Sequence, residues 1–120
     1  SNHVFYMSSI HAAGVRHQLC LDKIIAITAS INYSYIHYTN GTTQLHSRTL
    51  KWFSDQFPSL IRIHKASLIN TAQIYHYHLP AIKNSGGYVI MKNNMRLDVS
   101  RRLKVKVRNH LQPQSTVVYA

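Results

Sequence analysis

The sequence predicts an all-β fold of mostly short antiparallel strands, with one or two short helices. Three observations lead to this prediction. Short runs rich in β-branched and aromatic residues follow one another along the chain. Turn-forming pairs separate these runs, at Asn40-Gly41, Gly86-Gly87 and Asn93-Asn94. Before the C-terminal region, only segment 48–57 has the apolar spacing of a helix.

The predicted strands are apolar runs or alternating patterns that end at turn residues. They are segments 24–29, 32–38, 42–46, 60–63, 68–74, 75–79, 88–91 and 95–99. The first is apolar except for Thr28, which is typical of a strand buried on both faces. Asn40-Gly41 predicts a type I′ hairpin turn, because both central residues of that turn need a positive φ.

One helix is predicted over 48–57. Ser47 is expected to cap it, and Pro58 is expected to end it. Leu50, Phe53 and Phe57 follow helical spacing and form one apolar stripe. We expect this stripe to pack against a sheet.

Segment 100–111 is ambiguous. Leu103, Val107 and Leu111 have helical spacing, whereas Leu103, Val105 and Val107 alternate as in a strand. Both readings remain open from the sequence.

Charge is the most informative property of the composition. Fourteen Lys and Arg residues oppose three acidic residues, which gives a formal net charge of +11. Seven of the basic residues lie within 92–108. This balance favours a polyanionic partner, because basic side chains that neutralise phosphates release condensed counterions. An anionic membrane surface or an acidic protein would also fit the charge.

Length and composition predict one domain over 3–112, followed by a peripheral tail at 113–120. Ser1 and Asn2 have the form of a remnant left after removal of an affinity tag. No apolar run approaches the roughly 18 residues of a membrane span, so we expect no membrane contact. Cys20 is the single cysteine. We expect it to be a small buried side chain, and its use suits a reducing cytoplasm.

The sequence does not favour an enzyme or a metal site. The three aspartates are scattered, and catalysis generally needs paired carboxylates or a nucleophile with its base. A ribonuclease based on histidine and lysine is the remaining catalytic alternative. His76 and His78 share one face of a predicted strand, but a metal site needs a third ligand. We expect no metal and no cofactor. The aromatic cluster Tyr33, Tyr35 and Tyr38 favours packing in the fold over stacking on bases.

Three stretches carry a resemblance to a known family. They read IAITASINYSYIHY at 25–38, followed by Asn40-Gly41, then IRIHKASLIN at 61–70, and LDVSRR at 97–102. In this order they resemble the LytTR family of bacterial DNA-binding domains, over roughly 15–111. The second stretch is the most specific, and Ala66 is an extra residue between its His-Lys pair and its serine.

The resemblance implies an all-β domain that reads DNA through loops. Carried over position by position, the base contacts are Asn32, Lys65 and Arg102. Asn can bond two edge atoms of adenine, and Arg or Lys can donate to guanine O6 and N7. Flanking residues with hydrogen-bond donors are expected to contact the DNA backbone. These are His64, Ser67, Ser100, Arg101 and Lys104. Asn70 is expected to be structural, with its amide bonded to the backbone.

The resemblance also implies partners. The domain is expected to bind double-stranded DNA at paired repeats, in the cytoplasm, and a homodimer on DNA is possible. Most family members carry a receiver domain phosphorylated by a sensor histidine kinase. Such a domain needs an acidic cluster, so we expect it either outside these 120 residues or absent from the protein. The alternative is a basic module for RNA or general nucleic-acid binding, with strong salt dependence and little sequence preference.

Overall fold

The computed structural model describes residues 7–12 and 15–112. The remnant proposed at Ser1 and Asn2 and the tail at 113–120 lie outside these residues. The described strands are β1 (Met7–Ala12), β2 (Val15–Cys20), β3 (Ile24–Ser30), β4 (Tyr33–Tyr38), β5 (Thr43–His46), β6 (Ile61–His64), β7 (Ser67–Ile69), β8 (Ile74–His78), β9 (Gly87–Met91) and β10 (Arg96–Val99). The helices are α1 (Leu50–Gln56) and α2 (Arg101–Leu111).

The strands form two main sheets, and every pairing is antiparallel. The larger sheet has the order β5-β4-β3-β7-β6, and the smaller one has the order β10-β9-β8. Strands β1 and β2 form a separate two-stranded ribbon. The predicted fold class is therefore confirmed.

Strand β3 is buried on both faces of the larger sheet, as its apolar run predicts. Ile27 packs in a cluster with Phe53 of α1, whereas Ile25 packs in a second cluster with Val89 of β9 and Val107 of α2. A register shift between Ile24 and Ala26 marks a bulge in the pairing of β3 with β4. The sheet is thus covered by α1 on one face and by α2 and the smaller sheet on the other.

Helix α1 begins two residues later than predicted. Thr49, not Ser47, is the N-cap, and its side chain accepts a hydrogen bond from the Trp52 N–H at 3.1 Å. The apolar stripe of Leu50, Phe53 and Phe57 is buried as predicted.

The ambiguous segment is helix α2. Ser100 caps it, since its side chain accepts from the Leu103 N–H at 3.2 Å. Val107 is 1% exposed and Val105 is 55% exposed. The buried residues of this segment therefore follow the spacing of a helix and not the alternation of a strand.

Two turn predictions need correction. The β4–β5 turn is a three-residue loop rather than type I′, because the Tyr38 N–H donates to Thr42 O and only Gly41 in this loop has a positive φ. The turn before β9 lies at Lys83-Asn84, not at Gly86-Gly87.

The two glycines are instead needed for close packing. A Cβ at Gly87 would clash with the His78 carbonyl oxygen, and one at Gly86 would lie 2.7 Å from the Val99 carbonyl oxygen.

Two further predictions differ from the structure. The segment predicted as one strand at 68–74 is β7 followed by a 3-10 turn at Thr71–Gln73, which the Asn70 side chain caps through the Ala72 N–H. Cys20 is half-buried rather than buried. In the part of the chain that the structure describes, no helix is long and apolar enough to cross a membrane.

Candidate nucleic-acid interface

The β3–β4 turn presents Asn32 to solvent. It is a two-residue turn, Ile31-Asn32, between the paired residues Ser30 and Tyr33. Asn32 is exposed, and Ile31 is 98% exposed with φ of 46°. The amide of Asn32 therefore stands at the tip of a β-ribbon.

The β6–β7 turn presents Lys65, and Arg62 holds the backbone of this turn. The Arg62 guanidinium donates from Nε to His64 O at 2.8 Å and from Nη2 to Lys65 O at 2.6 Å. The Ala66 N–H donates to His64 Nδ1 at 3.1 Å. In a neutral His64 ring the proton is therefore on Nε2, which is left as a donor. The Lys65 side chain is exposed above this braced turn.

Two backbone hydrogen bonds bring these turns and the start of α2 to one end of the larger sheet. The Ala29 N–H donates to Ala66 O at 2.9 Å, which joins the end of β3 to the β6–β7 turn. The Ser100 N–H donates to Ile63 O at 2.9 Å, which joins the start of α2 to the end of β6. The three segments that the sequence assigns to base contact therefore lie together.

The start of α2 contributes two exposed cations. Arg101 and Arg102 are both exposed, and they follow the cap residue Ser100 directly. No acidic side chain lies in the first turn of this helix. The unpaired N–H groups of a helix start carry partial positive charge, which adds to the attraction for phosphate.

A basic cleft of about 760 Å³ opens between α2, the β6–β7 turn and the loop at 79–86. Among the described residues, those that line it include six basic side chains and no carboxylate. The basic residues are Lys65, Lys83, Arg101, Arg102, Lys104 and Arg108. An adjoining cleft shares His64, Ser100 and Arg101 and also contains the exposed Asp98.

Lys104 is buried and bonded, so its place in the fold differs from the surface role expected of it. Its side chain is 4% exposed, and its Nζ donates to Ile82 O at 2.6 Å and to Ser85 Oγ at 3.3 Å. Arg108 acts in the same way on the start of this loop, donating to Leu79 O and Pro80 O. Both basic residues hold the loop at 79–86 against α2.

Ser67 also departs from its predicted role. It is 6% exposed, at the start of β7 opposite Thr28 of β3. The fold therefore leaves little of this residue on the surface.

The loop at 79–86 was missed by sequence reasoning. It brings the exposed Lys83 to the cleft, beside Asn84, which has φ of 66°. Its sequence carried a local signal, since Lys83-Asn84 is a turn-forming pair that follows Pro80. Its position depended on the hydrogen bonds from α2, which no local pattern reveals.

Asn70 is structural, as predicted. Its Nδ2 donates to Ile24 O at 2.9 Å and to Leu21 O at 3.3 Å, and its Oδ1 accepts from the Ala72 N–H at 3.1 Å. The amide therefore ties β7 to the start of β3 and is fully occupied.

The histidine and tyrosine clusters have packing roles. His76 and His78 are exposed and both contact the Tyr88 ring. No group of three His, Cys, Asp or Glu side chains suited to a metal occurs within the described ranges. Tyr38 packs against the core with its hydroxyl donating to Gln44 Oε1, and burial raises its pKa. Tyr33, at the interface end of β4, is half exposed.

Comparison with known proteins shows the family of this chain. The profile of the LytTr DNA-binding domain matches residues 15–112, most of the chain. The chain belongs to the LytTR family. A LytTR domain binds DNA and does not belong to a class of enzymes.

A solved structure has the same fold. It is the LytTr DNA-binding domain assigned to a methyl-accepting/DNA response regulator from Bacillus cereus, with a TM-score of 0.69 and 19% identity. The match covers 89% of this chain and 96% of that one. Among curated proteins, none matches the sequence. At this identity the structural likeness shows the fold, while the family profile shows that this LytTR domain binds DNA.

Proposed function

We propose that this LytTR domain is the sequence-specific output domain of a bacterial response regulator. In this proposal Asn32, Lys65 and Arg102 read base edges in the major groove of double-stranded DNA. The observation that supports it is that three segments, each with an exposed side chain of suitable chemistry, lie together at one end of the larger sheet, beside a cleft without carboxylates.

The backbone contacts in this proposal come from His64, Ser100 and Arg101. His64 offers Nε2 as a donor, Ser100 offers its hydroxyl proton while its oxygen caps α2, and Arg101 is fully on the surface. Ser67 and Lys104 are not carried into the proposal, because both are buried. Lys83 takes the place of Lys104 as an exposed cation at the cleft.

The wider setting follows from the family. The domain would act in the cytoplasm and bind paired repeats, with two copies on one face of the DNA. Its input would be a receiver domain, phosphorylated by a sensor histidine kinase, in the same regulator.

The test is selection of bound duplexes from a random pool at near-physiological salt, followed by affinity measurements on the selected site. Enrichment of a short motif, repeated at about one helical turn, is the expected result. A pool that stays random, with binding that only fades as salt rises, would favour the alternative of general nucleic-acid binding.

Arg102→Ala then tests the assigned reading residue. We expect a loss of roughly fivefold to 150-fold on the selected site and a much smaller loss on random duplex, since a good side-chain contact to a base contributes about 1–3 kcal/mol of discrimination. Lys51→Ala is the matched control, because Lys51 is exposed on α1 and pairs with Asp55 at 3.2 Å. Equal losses on both duplexes would make Arg102 a phosphate contact.

A further inference from the structure

Ile31 combines two unusual properties at the tip of the β3–β4 turn. It is a β-branched residue with a positive φ of 46°, and its side chain is 98% exposed. The first central position of such a turn normally takes glycine when its φ is positive, because a Cβ is unfavourable there. Isoleucine is among the residues least suited to it.

No packing within the described chain offsets this strain. An exposure of 98% leaves the side chain with almost no contact to the other described residues. Strained backbone of this kind clusters at ligand-binding and other functional sites. We therefore expect contacts with a partner to offset this backbone strain.

The surroundings of Ile31 identify the chemistry of that partner. Its neighbour Asn32 is a proposed base-reading residue, and the turn lies beside the β6–β7 turn that presents Lys65. A two-stranded β-ribbon fits the major groove of B-DNA, and an apolar side chain at its tip meets one apolar group there, the C5 methyl of thymine.

We propose that Ile31 is a specificity-determining residue that contacts a thymine methyl next to the base read by Asn32. This inference rests on the proposed function and adds one position to it. Ile31 supplies no hydrogen bond, so its whole contribution is apolar contact with that methyl group.

Deoxyuridine provides a direct test, because it differs from thymidine in DNA only by the missing methyl. Each thymine of the selected site is replaced in turn, and the affinity of the 120-residue protein is measured. We expect one replacement to weaken binding about fourfold, the value for one buried methyl-sized group. With Ile31→Gly, the same replacement should have no effect.

The variants are chosen so that a loss of stability is not mistaken for a loss of contact with DNA. Glycine accepts the positive φ, so Ile31→Gly should melt no lower than the parent protein. Ile31→Val, which keeps the branched carbon, should retain most of the methyl effect. Leu45→Ala is the control, since Leu45 is also an exposed aliphatic residue (54%) but lies within edge strand β5.

The outcomes separate the two proposals. A selected motif with no methyl effect, or with an effect that persists in Ile31→Gly, overturns the role of Ile31 and leaves the proposed function standing. A pool without any motif overturns both.

Discussion

Arginine and lysine side chains have two separate uses in this LytTR domain. Arg101, Arg102 and Lys65 are exposed at the cleft, whereas Arg62 and Lys104 hold backbone carbonyls of the loops. The side chains of the second kind orient the loops that carry the first kind. Substitutions in the exposed group should therefore weaken DNA binding alone. Substitutions of the residues that hold the loops should weaken binding and also lower the stability of the fold.

His37 gives the domain a pH-dependent stability. Burial on β4 lowers its pKa from the ordinary value of 6.5, and its Nε2 lies 2.9 Å from Thr28 Oγ1. In the unfolded chain the ring takes up a proton more readily than in the folded protein. The stability tied to this group is therefore complete above about pH 6.5 and is lost as pH falls through the lower pKa of the folded protein.

The variant His37→Gln removes this titration. Between about pH 7.5 and about pH 5.5, its free energy of unfolding should fall less than that of the parent protein. Urea unfolding at the two pH values measures the difference. Equal losses in both proteins would assign the acid sensitivity to another group.

Ser100 joins helix α2 to the interface. It caps the helix, its N–H bonds to the end of β6, and it lines the cleft. The same residue is thus needed for the helix and placed to meet a phosphate. Substitutions of Ser100 can therefore distinguish its effect on the stability of the fold from its effect on DNA binding.

Ser100→Asp and Ser100→Ala make that separation measurable. Aspartate caps as well as serine, so Ser100→Asp should keep the free energy of unfolding, whereas Ser100→Ala should lower it by about 1 kcal/mol. For DNA affinity the order of the two variants is reversed, since a carboxylate at the cleft repels phosphate. Ser100→Asp should bind at least tenfold more weakly than Ser100→Ala. Comparable affinities for the two would place the DNA away from the start of α2.

The distribution of charge over the whole domain predicts how binding depends on salt. The net charge is +11, yet Lys104 and Arg108 are occupied by the loop at 79–86, and Lys51 pairs with Asp55. The number of phosphates neutralised should therefore be well below the number of basic residues. The slope of log K against log salt counts those phosphates.

Lys83→Ala tests the loop that the sequence did not reveal. Loss of one phosphate contact should reduce the magnitude of that slope by about 0.9, with similar effects on the selected site and on random duplex. Affinity titrations over a series of salt concentrations measure the slope. Lys51→Ala should leave it unchanged. An unaltered slope in Lys83→Ala would show that the loop stays clear of the DNA.

Local chemistry was enough to predict the all-β class, the doubly buried strand β3, the apolar stripe of α1 and the role of Asn70. Each depends on neighbours in the sequence or on one short motif, where spacing alone sets which side of an element is apolar. The LytTR motifs added the family and the candidate residues. Local chemistry did not fix the start of α1, because Ser47 and Thr49 are both able to cap, and in the structure Thr49 does so.

Tertiary contacts decided the rest. Lys104 belongs to a basic run in the sequence, but the fold buries it against the Ile82 carbonyl, and Ser67 enters the sheet opposite Thr28. Gly86 and Gly87 read as a turn, but neighbouring strands approach them too closely for a Cβ. A contact with a carbonyl oxygen or a strand that is distant in the sequence does not affect the local spacing of apolar and polar residues. Which cations hold the loops and which are left for DNA is therefore a property of the folded domain.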